Sequence, residues 1–409
     1  MKMKFDDFDT TFDDFGTPEE TTKNVIEKKE FLPWHKPRKQ WIRHKQWWTQ
    51  IDEHIVKKLK PGIDTIKYFG LPGNDLLDIR FFQQKLPSLQ KKICLFGLIN
   101  TEIGWSSAQT QLSKIMDLDG VDKSSKVEQL NFDYLENTSS IAFDKLMEFG
   151  CFDVVNLDFC ENVIPNATEN RLKALHNFME YQFQKISENW VLFITTRSSK
   201  DTTNSRLYEE LVACIDENLS DVIYFQEFIR VFSSIVLNNN SIVRSDLENQ
   251  KHINMLVVGL MNWLVKTAHN RHFKVKLSNV VRYDITGENT NDMMSMCFVF
   301  TRVMNFPNAN PPLPTKAEQA KNPLNKLANI SNLDDIMISG GINYYAQFVK
   351  EQIDLLKEAG YHTDDYLNQI CTNDLAKLQT TAEQLNSIME AIEQPQQLIS
   401  TEIMSSDNA

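Results

Sequence analysis

"FKVKLSNVVRYDI" (273–285) and "MMSMCFVFTRV" (293–303) are separated by only the seven residues "TGENTND". In the first run Phe273, Val275, Leu277, Val281, Tyr283 and Ile285 recur on one side, the alternation of a strand with unequal faces. The second run reads as another strand. Two strands joined by so short a polar loop must be antiparallel, because a parallel return needs a crossover of a dozen residues or more.

Upstream of this pair the patterns alternate between strand and helix from about residue 63. "DTIKYFGLPG" (64–73) reads as a strand breaking into a Gly-Pro-Gly loop, followed by the helical pattern "NDLLDIRFFQQKL". "KICLFGLIN" (92–100), "KVEQLNFDYL" (126–135), "FDVVNLDFC" (152–160) and "WVLFITTR" (190–197) supply four further strands. Between the last two, Leu172, Leu175, Met179, Phe183 and Ile186 recur at helical spacing. Such alternation implies a mostly parallel sheet covered by helices on both faces. The expected class is therefore α/β, a Rossmann-like parallel sheet closed by an antiparallel hairpin, with a helical C-terminal extension.

The chain has 409 residues, of which 42% are hydrophobic and 10% aromatic, enough for a substantial core. Its formal net charge of −12 gives no global attraction to nucleic acid or anionic membrane. No apolar run reaches the roughly 18 residues that suggest a spanning helix, and the acidic start "MKMKFDDFDTTFDDFG" does not resemble a signal peptide. Six scattered cysteines without a CxxC pair suit a reducing cytoplasm, and the eight histidines form no metal pattern.

The ends differ in composition from the middle. Residues 1–30 form an acidic head in which Phe5, Phe8, Phe12 and Phe15 interleave with aspartates, as a solubilising tail or a segment that orders on a protein partner. Residues 31–62 begin with "LPWHKPRKQWIRHKQWW" (32–48), which holds four of the seven tryptophans. Lys36, Arg38, Lys39, Arg43 and Lys45 could capture phosphates while rings such as Trp41 stack on bases. The same residues could instead dock on the chain's own body through cation–π pairs. After the 63–304 domain, residues 305–338 carry five prolines and read as a linker. Residues 339–394 read as a helical extension, in which Cys371, Leu375, Leu378, Ala382, Leu385, Met389 and Ile392 approach a heptad repeat suited to self-association or to packing on the sheet. Residues 395–409 read as a tail.

The strand order and closing hairpin resemble the class I S-adenosylmethionine-dependent methyltransferase fold. The resemblance covers roughly residues 63 to 303 and implies where a cofactor would lie. Gly70 and Gly73 of "FGLPG" stand where the family's glycine-rich loop approaches the cofactor. Asn100, with Glu102 two residues on, takes the place of the family's ribose-binding acid. Asp133 in "LNFDY" matches the adenine side, and Asp158 at the end of the fourth strand matches the substrate-facing position. The Asp/Asn-Pro-Pro-Tyr/Phe motif of amino-methylating enzymes does not follow that strand. The basic tryptophan segment and "YFGLPG" also resemble uncharacterised bacterial proteins that accompany nucleases or helicases in mobile defence loci. Two functions follow: methyl transfer from S-adenosylmethionine to an acceptor such as nucleic acid, with Asp158 catalytic, or a non-catalytic subunit of a multi-protein complex built on a degenerate methyltransferase fold.

Overall fold

The computed structural model describes residues 29–393, apart from 187, 245, 246, 248, 286–291 and 304–312. Eight strands form one sheet: β1 (Thr65–Gly70), β2 (Lys92–Ile99), β3 (Lys126–Gln129), β4 (Val154–Asn162), β5 (Trp190–Arg197), β6 (Phe273–Tyr283), β7 (Met293–Arg302) and β8 (Ser331–Asn332). Their spatial order is β8-β6-β7-β5-β4-β1-β2-β3. Strands β1 to β5 run parallel, while β7 pairs antiparallel with both β5 and β6. The Rossmann-like sheet with its closing hairpin is therefore present, and its strand order reverses at β1/β4, where open α/β sheets bind ligands.

Strand alternation divides the core between the two faces. Phe69, Val155, Leu192 and Phe298 point to one side, against helices Asn170–Lys185, Ser205–Asn218 and Asn249–His269. Tyr68, Val154, Val191 and Cys297 point to the other. That second face is covered partly by helices Leu77–Lys85 and Glu102–Ile115, and partly by the two ends of the chain. Helical segments Pro37–Trp41, Ile42–Trp48 and Thr49–His54 follow one another with right-handed helical backbone at both junctions, forming a single N-terminal rod with a π-helical middle. Trp47 and Ile42 on this rod are fully buried, and Trp47 packs on Phe193 of β5. Helix Gly341–Glu358 lies beside the rod and buries Tyr345, Phe348 and Val349.

Several expectations need correction. The third strand stops at Gln129, and residues Phe132–Glu136 turn as a short 3-10 helix in which the Asn131 side chain accepts from the Asp133 N–H. The second half of the proline-rich stretch is folded: helices Lys316–Lys321 and Leu324–Ala328 bury Ala317, Ala320, Leu324 and Leu327, and β8 joins the sheet edge. Its start carries a capping box, with Thr315 and Glu318 each accepting the other's backbone N–H. That signal, T-x-x-E, was overshadowed by the surrounding prolines. The heptad-like tail is broken into helices Tyr366–Ile370, Thr372–Lys377 and Ala382–Glu393, with Gln379 in the left-handed region. Cys371, Leu375, Leu385 and Met389 are buried in the chain's own core. The acidic head through residue 28 and the tail from 394 lie outside the described residues. Among the described residues no helix is long and apolar enough to cross a membrane.

Candidate functional site

A cleft of about 830 Å³ opens at the carboxyl ends of the parallel strands. Its floor and walls come from the loop after β1 (Leu71 to Leu77), the ends of β2 and β3, the tip of β4, the N-terminal segment, and residues such as Arg197, Tyr283 and Met293 from the ends of β5, β6 and β7. Of the residues expected around a cofactor, Gly73, Asn100 and Asp133 line it together with Asp158. Gly73 has no atom within 4 Å of where a Cβ would stand, so its backbone faces open space. Gly70 does not line the cleft; a Cβ there would lie 2.7 Å from the Tyr68 ring, which makes its glycine a packing requirement. The next turn is strained, since Leu76 adopts a left-handed φ of 51° to start helix Leu77–Lys85. Asn100 is exposed on the rim, whereas Glu102 begins helix Glu102–Ile115 outside the cleft lining.

Asp133 is buried, and its carboxylate oxygens take Arg171 Nε and Nη2 at 3.0 and 3.2 Å. Arg171 also donates to the Asn162 carbonyl, tying the end of β3 to the end of β4. Nothing in the sequence singled out Arg171. Its place one residue into a helix was visible, but its partner 38 residues earlier was not.

At the β4 end the basic tryptophan segment forms the wall. Both oxygens of Asp158 lie within hydrogen-bonding distance of Lys39 Nζ, at 2.6 and 2.7 Å, and that ammonium sits 4.7 Å from the centre of the Trp47 ring. Burial pushes the Asp158 carboxyl above its ordinary range, and Lys39 pulls against that shift. Arg43 pairs with Asp78 at 2.7 Å. Arg38 donates from Nη1 and Nη2 to Asp374 at 2.7 Å and from Nε to Asp334, so it clamps helices Leu333–Ser339 and Thr372–Lys377 together. Lys36 donates to the Ile285 carbonyl at 2.6 Å. Trp41 is buried and donates to Tyr344, and Lys45 lies over the Phe348 ring away from the cleft. Four of the five cations put forward for nucleic acid thus line the cleft and hold partners within the chain.

Two further residues of the lining carry unpartnered polar atoms. His35 is wholly buried; its Nδ1 accepts from the Leu32 N–H, and its Nε2 has no hydrogen-bond partner. Burial lowers its pKa to about 4, against the opposing pull of Asp75. Asp75 in turn accepts from Lys29 and from the Tyr361 hydroxyl, each at 2.7 Å. On the other side, Tyr283 is 2% exposed with an unpartnered hydroxyl. An unpaired buried polar atom costs about 1–3 kcal/mol, and the cleft lining carries two residues with one each.

A family model described as PP_RS20740-like matches residues 28–370. The chain belongs to the PP_RS20740-like family. The match takes in the sheet, the N-terminal rod and most of the C-terminal helices, so the cleft with all its walls lies inside the family's extent. No curated protein matches the sequence. Among solved structures, the chain is similar to the O-methyltransferase of a trans-AT polyketide synthase multienzyme from Brevibacillus brevis, solved with S-adenosyl-L-homocysteine. That similarity has 9% identity and a TM-score of 0.34, and covers 82% of this chain and 95% of that one. An rRNA methylase from Streptococcus thermophilus shows 9% identity and a TM-score of 0.31 over 68% of this chain and 99% of that one. An S-adenosylmethionine-dependent methyltransferase from Methanosarcina mazei shows 10% identity and a TM-score of 0.29 over 61% and 97%.

Proposed function

We propose that the chain binds S-adenosylmethionine in this cleft and transfers its methyl group. One observation carries the reading: Gly73, Asn100, Asp133 and Asp158, taken from four separate strand ends, line a single cleft at the switch point of the sheet. The volume of about 830 Å³ falls in the roughly 300–1,000 Å³ range of small-molecule sites. In this reading the open backbone at Gly73 lies along the cofactor, and Asn100 offers an amide to the ribose hydroxyls. Asp133, steadied by Arg171, borders the adenine, and Asp158 stands on the acceptor side as the group that takes a proton. The bound sulfonium supplies an activated methyl group, so this chain's task is to orient it, exclude water and hold that proton.

Titration calorimetry with S-adenosylmethionine tests this directly. Saturable binding by the wild type is expected, and no heat at millimolar ligand would end the proposal. A second reading, a non-catalytic platform within a protein complex, is favoured by the Lys39–Asp158 pair, which fills the acceptor side with the chain's own lysine. Stable co-purification with another protein and no bound cofactor would support it; methyl transfer by the isolated chain would exclude it.

A further inference from the structure

The cations on the cleft wall are not equivalent. Arg38 and Arg43 carry guanidinium groups, which stay protonated in proteins. Lys36 and Lys39 carry amines, which become nucleophiles once a proton is removed. Their partners separate them. Lys36 donates to a backbone carbonyl, which cannot take its proton, whereas Lys39 donates to a carboxylate, which can.

The placement of Lys39 adds to this. Its side chain is 6% exposed, and both it and Asp158 line the same cleft as the loop carrying Gly73. Its nitrogen lies 2.6 and 2.7 Å from the two Asp158 oxygens and 4.7 Å from the centre of the Trp47 ring. A buried ion pair seldom improves on well-packed apolar residues in stability, so a pair held on a cleft wall invites a chemical explanation.

We infer that Lys39 is itself a methyl acceptor, a self-modification site supplied from the N-terminal rod to the acceptor side of the cleft. The inference rests on the S-adenosylmethionine reading above. Lys39 passes one ammonium proton to an Asp158 oxygen, and the freed lone pair on Nζ attacks the sulfonium methyl carbon. The carbon–nitrogen bond forms as the carbon–sulfur bond breaks, and its electron pair remains on sulfur, giving neutral S-adenosylhomocysteine. Nζ is left as a methylammonium, and Asp158 returns its proton to water in the cleft. The burial that raises the Asp158 carboxyl favours its holding that proton in the interval. The product keeps its positive charge, so it can remain paired with Asp158, and an aromatic face such as Trp47 suits a methylated ammonium.

The test uses the full-length chain and S-adenosylmethionine alone. Intact-mass spectrometry should show the gain of one methyl group, and peptide mapping should locate it on Lys39. The rate constant should not change with protein concentration, because donor and acceptor sides belong to one molecule. Calorimetry on the same preparation separates the possible failures. Absence of cofactor binding overturns the proposed function, while binding without a methyl group on Lys39 overturns this inference alone. Methyl groups scattered over surface lysines, or a rate that rises with protein concentration, would also overturn it. Asp158→Asn, checked by its melt to be folded, should slow the modification about 100-fold, the low end for loss of a general base. An unchanged rate in that variant would overturn the proton-transfer step.

Discussion

At the β1–β3 end of the cleft the loops that follow the strands leave Gly73 and Asn100 facing open space, although Asp75 in the same loop is held by Lys29 and Tyr361. At the β4–β6 end the wall is brought from elsewhere. Lys39 meets Asp158 across 119 residues, and Arg38 meets Asp334 and Asp374 across 296 and 336. The first end resembles a binding surface and the second a closure. Glycine and backbone leave room for a ligand, whereas charges drawn from both chain termini occupy the space and neutralise one another. A small cleft can thus be open at one end and stitched shut at the other without a change in strand order.

The largest effect should come from cutting those stitches. Arg38→Ala leaves Asp334 and Asp374 buried without their cation, and loss of one partner from a buried pair costs about 3–5 kcal/mol. The triple variant Arg38→Ala, Lys39→Ala, Arg43→Ala should therefore melt well below the wild type, with any nucleic-acid affinity unchanged. An unshifted melt together with lost affinity, and a salt slope shallower by about 0.9 for each phosphate contact removed, would turn the closure into a nucleic-acid surface.

The seam between the two ends can be probed with acid. His35 titrates at about 4 in the folded chain against its ordinary 6.5, so the unfolded chain binds the extra proton between those values. The contribution is whole above pH 6.5 and is lost as pH falls toward 4, by about 3 kcal/mol in total. Denaturant melts of His35→Gln should show a flatter loss of stability between pH 7 and 4.5 than the wild type. Equal slopes would remove His35 from the account.

The smallest change in fold should come from the open end. Gly73→Trp places its Cβ where no atom lies within 4 Å and directs the ring into the cleft, so stability should stay within about 0.5 kcal/mol. Its affinity for S-adenosylmethionine should fall at least tenfold, about 1.4 kcal/mol. A variant that binds as tightly as the wild type would show that the loop is open to solvent and to nothing else.

The strand pair 273–303 was legible because it obeys local rules: alternation gives the strand, and a short polar loop dictates the antiparallel return. The places of Gly73, Asn100, Asp133 and Asp158 came from the resemblance laid over those strands, and they do line one cleft, whereas Gly70 and Glu102, named on the same ground, do not. The folded half of the 305–338 stretch was also present in the sequence, as the capping box at Thr315 and Glu318, and was obscured only by the prolines around it.

What neighbours those residues acquire is a different matter. Composition offered two destinations for the basic tryptophan segment, phosphates or the chain's own body, because the same cations and rings suit both. Only the tertiary structure supplied Asp78, Asp158, Asp334 and Asp374 as partners, and only it left the His35 nitrogen and the Tyr283 hydroxyl without one. The sequence by itself determined the sheet and its closing hairpin, and with them the strand ends at which the cleft opens, since side-chain period and loop length are local properties of the chain. The tertiary structure alone decided which end of that edge is open and which is closed, since ion pairing depends on distance in space and not on separation along the chain.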